Sequence, residues 1–174
     1  CYESGQILPF GPWAEALRSG GVVRDDGPLR GVEPVWRAEL ARLFPEVVNP
    51  IGSVRRTDAH RLFESIMRLL EAAAAATPLV LVLEDVHWAD DATLDVLRFL
   101  GRRHGTVPVL VVASYRDTEL GRFHPLRRAL GELGSGESIR RLQLAPLSRE
   151  AVGALSASTF ADVEELYRKT GGNP

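Results

Sequence analysis

One segment of this chain leaves few choices of fold. Leu79-Val80-Leu81-Val82-Leu83 is apolar without alternation, and Glu84-Asp85 follow at once. The run is short, bounded by Pro78 on one side and the two acids on the other, and made only of Val and Leu. A strand covered on both faces of a parallel sheet reads this way. Val109-Leu110-Val111-Val112-Ala113 is a second such run. Between them, Ala92 to about Arg103 has Leu94, Leu97 and Leu100 on one side, which predicts a helix. Asp90 or Asp91 is placed to cap it and to favour its positive N-terminal end. Strand, helix, strand is a parallel crossover unit, right-handed by the general rule. The expected class is therefore α/β, with helices on both faces of the sheet.

The flanking sequence fits that core. Tyr2 to Trp13 reads as a strand end running into a loop, and Pro12 suits the first turn of a short helix through Leu17. Ser19 to Gly31 is rich in turn residues. Pro34 to Phe44 has helical spacing in Val35, Trp36, Leu40 and Leu43, and Pro45 to Ser53 connects onward. Asp58 is placed to cap a helix running to about Ala76, with Leu62, Phe63, Ile66, Met67, Leu69 and Leu70 as its apolar stripe. Pro125 to Leu133 predicts another helix closed by Gly134, and Ile139 to Leu144 predicts a further strand. Beyond Ala145-Pro146 the pattern changes to a helical pair. Ser148 caps the first helix, and the second runs from about Ala161 to Thr170 and stops at Gly171. Residues 1–145 thus read as a core and 146–174 as the start of a helical subdomain.

Composition narrows the function classes. With 45% hydrophobic and 25% charged residues in 174, the chain suits one domain with its own core. A formal net charge of -2 supplies no basic field for nucleic acid or anionic lipid. No apolar run is long enough to span a bilayer, and Cys1, the only cysteine, allows no internal disulfide. A reducing, cytoplasmic setting fits. The ends read as those of an internal piece: the chain opens Cys-Tyr-Glu, its only methionine is Met67, and it stops at Gly171-Gly172-Asn173-Pro174.

The chemistry gathers at the strand ends. The first buried strand delivers Glu84 and Asp85 to its carboxyl end, the side where open parallel sheets bind ligands. Magnesium takes hard oxygen ligands, commonly one or two carboxylates with waters, and a neighbouring acid can orient an attacking water. The same pair reads equally as an acidic strand end capping the next helix. Arg116, after Ala113-Ser114-Tyr115, lies on the same sheet edge, where a guanidinium can bind a terminal phosphate. Its alternative is an ion pair with Asp117 or Glu119. His87 has no second histidine or cysteine at ligand spacing, so a metal site there is disfavoured. Trp88 reads as packing, and His60, His104 and His124 as surface residues.

Taken in order, these motifs resemble a known family. LVLVLEDVHWADD looks like the Walker B segment of the signal-transduction ATPases with numerous domains, the STAND NTPases. More narrowly, it resembles the AAA-type ATPase region of large LuxR-family, MalT-like transcriptional regulators. VVASYRDTEL resembles their sensor 1 strand, IRRLQLAPLSREAV their strand-to-lid transition, and KTGGNP their GxP motif. CYESGQILPFGPWAEALR is similar to the segment after the Walker A helix and second strand.

The resemblance implies a partial P-loop NTPase sheet of the ASCE/AAA kind, followed by the start of a helical lid. It implies ATP and Mg2+ as ligands. Glu84 and Asp85 would serve the metal and the catalytic water, Arg116 the γ-phosphate, and Gly172 with Pro174 the adenine. DNA would be bound by a C-terminal domain outside this segment, and self-association would belong to the full-length protein. Two departures stand out. The acids come in the order Glu-Asp, where many relatives have Asp-Glu. No G-x-x-x-x-G-K-[ST] occurs, and Lys169, the single lysine, has no glycine loop before it. In the family's sheet the strand leading into that loop lies between the sensor 1 strand and the following strand. Without it the Ile139 strand lacks a neighbour, and the edge of Val109–Ala113 is open. This stretch alone is then expected to bind ATP poorly. Two other readings stay open: a non-catalytic interaction scaffold, and the ATPase module of an adenylate cyclase or protein kinase.

Overall fold

The computed structural model describes residues 9–24, 26–46, 59–103, 107–134, 136, 138–157 and 162–173. Tyr2 to Leu8, the Asp58 cap, His104 and Pro174 lie outside these residues. Two compact units divide the chain, Cys1–Ile139 and Arg140–Pro174.

In the first unit, α1 spans Gly11–Ser19 with Pro12 in its first turn, where the missing N–H costs nothing. A single 3-10 turn, Pro28–Gly31, leads to α2, Pro34–Leu40, which again carries proline in the first turn. The longest helix, α3, spans Ala59–Ala74 and buries Leu62, Ile66, Leu69 and Leu70 as one stripe. Then come β1, Leu79–Leu83, α4, Asp91–Arg102, β2, Val109–Ala113, and α5, Pro125–Leu133.

The two strands pair in parallel, Leu79 opposite Val109 through Leu83 opposite Ala113, with α4 as the crossover. This is the expected α/β unit. Asp90 is the residue that caps α4: its carboxylate accepts from the Thr93 N–H at 2.9 Å. Trp13, fully buried, ties α1 to the same turn by donating Nε1–H to the Thr93 carbonyl at 3.0 Å. Phe44, Leu17, Leu40, Leu94 and Leu126 complete a core shared by α1 to α5 and the sheet.

Two expectations are corrected. The strands are not covered on both faces. Leu81 and Leu83 are buried, but Val80 and Val82 are 58% and 53% exposed, and Leu110 and Val112 beside them are 58% and 43% exposed. The absence of alternation in the sequence shows that both faces are apolar, and that property does not say what covers each. Among the described residues the packing helices cover one face only. Likewise, Ile139 to Leu144 forms no strand, and Leu142 and Leu144 are 83% and 89% exposed. A strand needs a neighbour for its ladder bonds. The described sheet has two strands, and the Ile139 N–H instead closes a turn onto the Gly136 carbonyl.

The second unit holds α6, Arg149–Leu155, and α7, Val163–Thr170. Ser148 caps α6 through the Ala151 N–H, and Asp162 caps α7 through the Glu164 N–H. Gly171, at φ 60, ends α7 in the left-handed region that glycine adopts without steric cost. Arg149 stacks over the Tyr167 ring, 5.1 Å from its centroid, and joins the two helices. No helix among the described residues is long and apolar enough to cross a membrane.

Candidate functional site

The carboxyl ends of β1 and β2 are stitched together beyond the last paired residues. The Ser114 N–H bonds the Leu83 carbonyl at 3.0 Å, and the Val86 N–H bonds the Ser114 carbonyl at 2.9 Å. The Asp85 N–H reaches the Ser114 hydroxyl at 3.2 Å. This forces a sharp turn at Asp85, which sits in the left-handed region at φ 52, ψ 46. Aspartate tolerates that conformation better than most residues, at a cost of order 1 kcal/mol. The turn continues as one 3-10 turn, Val86–Trp88, and its effect is to swing His87 inward.

His87 is the centre of the site. Its side chain is 1% exposed. Nδ1 accepts from the Arg116 backbone N–H at 3.4 Å and lies 4.0 Å from Asp85 Oδ1. Nε2 lies 3.0 Å from Glu119 Oε2, although that approach is not aligned for a hydrogen bond. One buried imidazole therefore touches the acidic end of β1, the backbone at the end of β2, and the 3-10 turn Asp117–Glu119 that follows. Because Nδ1 accepts, the proton of the neutral ring is on Nε2, facing the carboxylate.

Arg116 extends outward, 61% exposed, and its Nη1 bonds Glu119 Oε1 at 2.9 Å. Of the two readings of Arg116, the ion pair with Glu119 is the one made in this state. The Arg116 guanidinium, hydrogen-bonded to the Glu119 carboxylate, holds the Glu119 carboxyl below the usual glutamate range. The loop beyond is pinned by Arg127, whose guanidinium bonds the Leu120 carbonyl at 2.9 Å.

Glu84 is exposed and Asp85 half-buried. Glu84 follows Val80 and Val82 at strand spacing, so the open apolar face of the sheet runs up to a carboxylate and to the exposed Ser114 beside it. No group of three or more His, Cys, Asp or Glu among the described residues could hold a metal ion by itself. Two acids at a strand end suit magnesium that arrives with phosphate and water ligands rather than in a protein cage.

Glu84, Asp85 and Arg116 are thus gathered at one sheet edge. Gly172 belongs to the second unit, where its carbonyl accepts from the Leu147 N–H at 2.8 Å. A side chain there would collide with the Leu147 carbonyl, and φ of 81 independently favours glycine. His87 was legible only as a disfavoured metal ligand; its link to Glu119 needs the tertiary turn. The available signal was the spacing Arg-x-x-Glu at Arg116 and Glu119.

Residues 1–112 match the profile of a family described as AAA ATPase domain. An uncharacterized protein of Rhizobium meliloti (strain 1021) is 33% identical over 177 residues, which cover 94% of this chain and 17% of that protein. The chain therefore spans about a sixth of the length of the curated relative it matches. No solved structure matches it.

Proposed function

Because the chain belongs to the AAA ATPase domain family, we propose that it is part of a regulatory switch ATPase whose nucleotide state sets the conformation of a larger protein. The observation that carries this reading is the meeting of Asp85 and Arg116 at one buried histidine, on the sheet edge that also carries Glu84. ATP with Mg2+ is the ligand proposed. Bound magnesium neutralises phosphate charge. Of Glu84 and Asp85, one would hold it and the other would orient the attacking water. Arg116 faces the terminal phosphate and offsets its charge. By the family resemblance, Gly172 and Pro174 would serve the adenine. Residues 1–145 form the core in this reading and 146–174 the start of the lid. The resemblance to LuxR-family regulators supports a transcriptional output carried elsewhere in the full-length protein, in a cytoplasmic setting.

Asp85→Ala in the full-length protein is expected to lower MgATP turnover by about a hundredfold or more, with a smaller change in MgATP affinity. Unchanged turnover would make Asp85 a structural acid. A non-catalytic scaffold is the second reading. The Arg116–Glu119 pair favours it, because the arginine is already satisfied without nucleotide. Absence of MgATP turnover in the full-length protein, with binding retained, would select it.

A further inference from the structure

We propose that Glu119 is a built-in stand-in for phosphate at Arg116, backed by the buried ring of His87, and that a nucleoside triphosphate engages Arg116 by displacing it. The inference rests on the nucleotide reading above and assigns Glu119 and His87 as positioning residues within it.

Three contacts carry it. The two oxygens of Glu119 are divided: Oε1 receives the Arg116 guanidinium at 2.9 Å and Oε2 faces His87 Nε2 at 3.0 Å. His87 cannot follow Glu119 outward. It is buried, packed at a tilt against the Trp88 ring with centroids 4.8 Å apart, and it also receives the Arg116 backbone N–H. The carboxylate therefore has a fixed rear contact and a mobile front one. Arg116, 61% exposed, is the partner free to leave. A carboxylate and a phosphate both accept from guanidinium N–H groups, so one can replace the other on the same donor.

The exchange has the right size to be reversible. An exposed ion pair of this kind contributes little to stability, so a phosphate can outcompete it. The Asp117–Glu119 turn follows Arg116 directly, so release of Glu119 alters the segment that leads to Leu120 and α5. The terminal phosphate is thereby read out as the loss of one internal ion pair. A nucleoside diphosphate, lacking that phosphate, leaves the pair intact.

The test is a double-mutant cycle on the full-length protein, with MgATP and MgADP affinities measured by calorimetry. Glu119→Gln keeps the shape and removes the charge, and Glu119→Ala checks the same direction. Each is expected to tighten MgATP binding about two- to fivefold, the factor equivalent to the exposed pair. MgADP affinity is expected to stay within about a factor of two. In an Arg116→Ala background the gain for MgATP should disappear. An equal gain in both backgrounds would mean simple charge repulsion and overturns the proposal, as does no gain while Arg116→Ala still weakens MgATP. If Arg116→Ala leaves MgATP affinity unchanged, the nucleotide reading of Arg116 fails, and the stand-in fails with it.

Discussion

Removal of the Asp90 carboxylate tests how the helix behind the acidic strand end is held. Oδ1 accepts from the Thr93 N–H at 2.9 Å and the Phe10 N–H at 3.4 Å, and Oδ2 pairs with the Thr93 hydroxyl at 2.5 Å. Thr93 is 1% exposed, so its hydroxyl has no access to solvent when that partner goes. Asp90→Ala loses the cap, about 1 kcal/mol. It also leaves the buried hydroxyl unpaired, for about 1–3 kcal/mol more. The sum is about 2–4 kcal/mol. Thr93→Val removes the hydroxyl together with its need for a partner, so Asp90→Ala in that background should cost only the cap, about 1 kcal/mol. Urea unfolding midpoints of the four proteins, followed by far-ultraviolet circular dichroism, give the coupling. Asp91→Ala, at an exposed first-turn position, controls for helix-end charge and should cost at most about 1 kcal/mol. Additivity of the 90 and 93 substitutions, or equal costs for Asp90→Ala and Asp91→Ala, would refute the argument that a buried hydroxyl depends on this cap.

Other outcomes follow from the same structure. Leu83→Ala should destabilise by about 2–5 kcal/mol and Val82→Ala by much less, because Leu83 is 3% exposed and Val82 53%; equal costs in urea unfolding would contradict a sheet covered on one face. Trp13→Phe keeps one aromatic ring but loses the bond to the Thr93 carbonyl and the buried volume of the second ring, and at least about 1–3 kcal/mol of stability should go with them. Gly172→Ala should destabilise the turn between α7 and Leu147, seen as faster amide exchange at Leu147, because the added carbon meets the Leu147 carbonyl. The Glu119 carboxyl, followed by carbon NMR, should titrate below the usual glutamate range and return toward it in Arg116→Ala. Since its folded pKa is lowered, its contribution to stability is present above the usual range and is lost as pH falls through the lowered value. Glu46, held low by its hydrogen bond from Arg18, should behave in the same way, with Arg18→Ala as its control.

The sequence by itself determined the local elements and their order. Apolar runs at Leu79–Leu83 and Val109–Ala113, proline in the first turns of α1, α2 and α5, and side-chain caps at Asp90 and Ser148 act through neighbours a few residues away, so they can be read without knowing the fold. The parallel crossover also placed Glu84, Asp85 and Arg116 at one edge, because parallel strands end on the same side. Tertiary structure decided the rest. Whether an apolar strand face is covered depends on what packs there, and Val80, Val82, Leu110 and Val112 are left open. Whether Ile139 to Leu144 becomes a strand depends on a partner's backbone, which no pattern along one segment contains. The site's centre was hidden for the same reason. His87 meets Glu119 only because Asp85 turns left-handed and Ser114 clamps the turn, so a contact between residues 32 positions apart rests on hydrogen bonds between two strand ends.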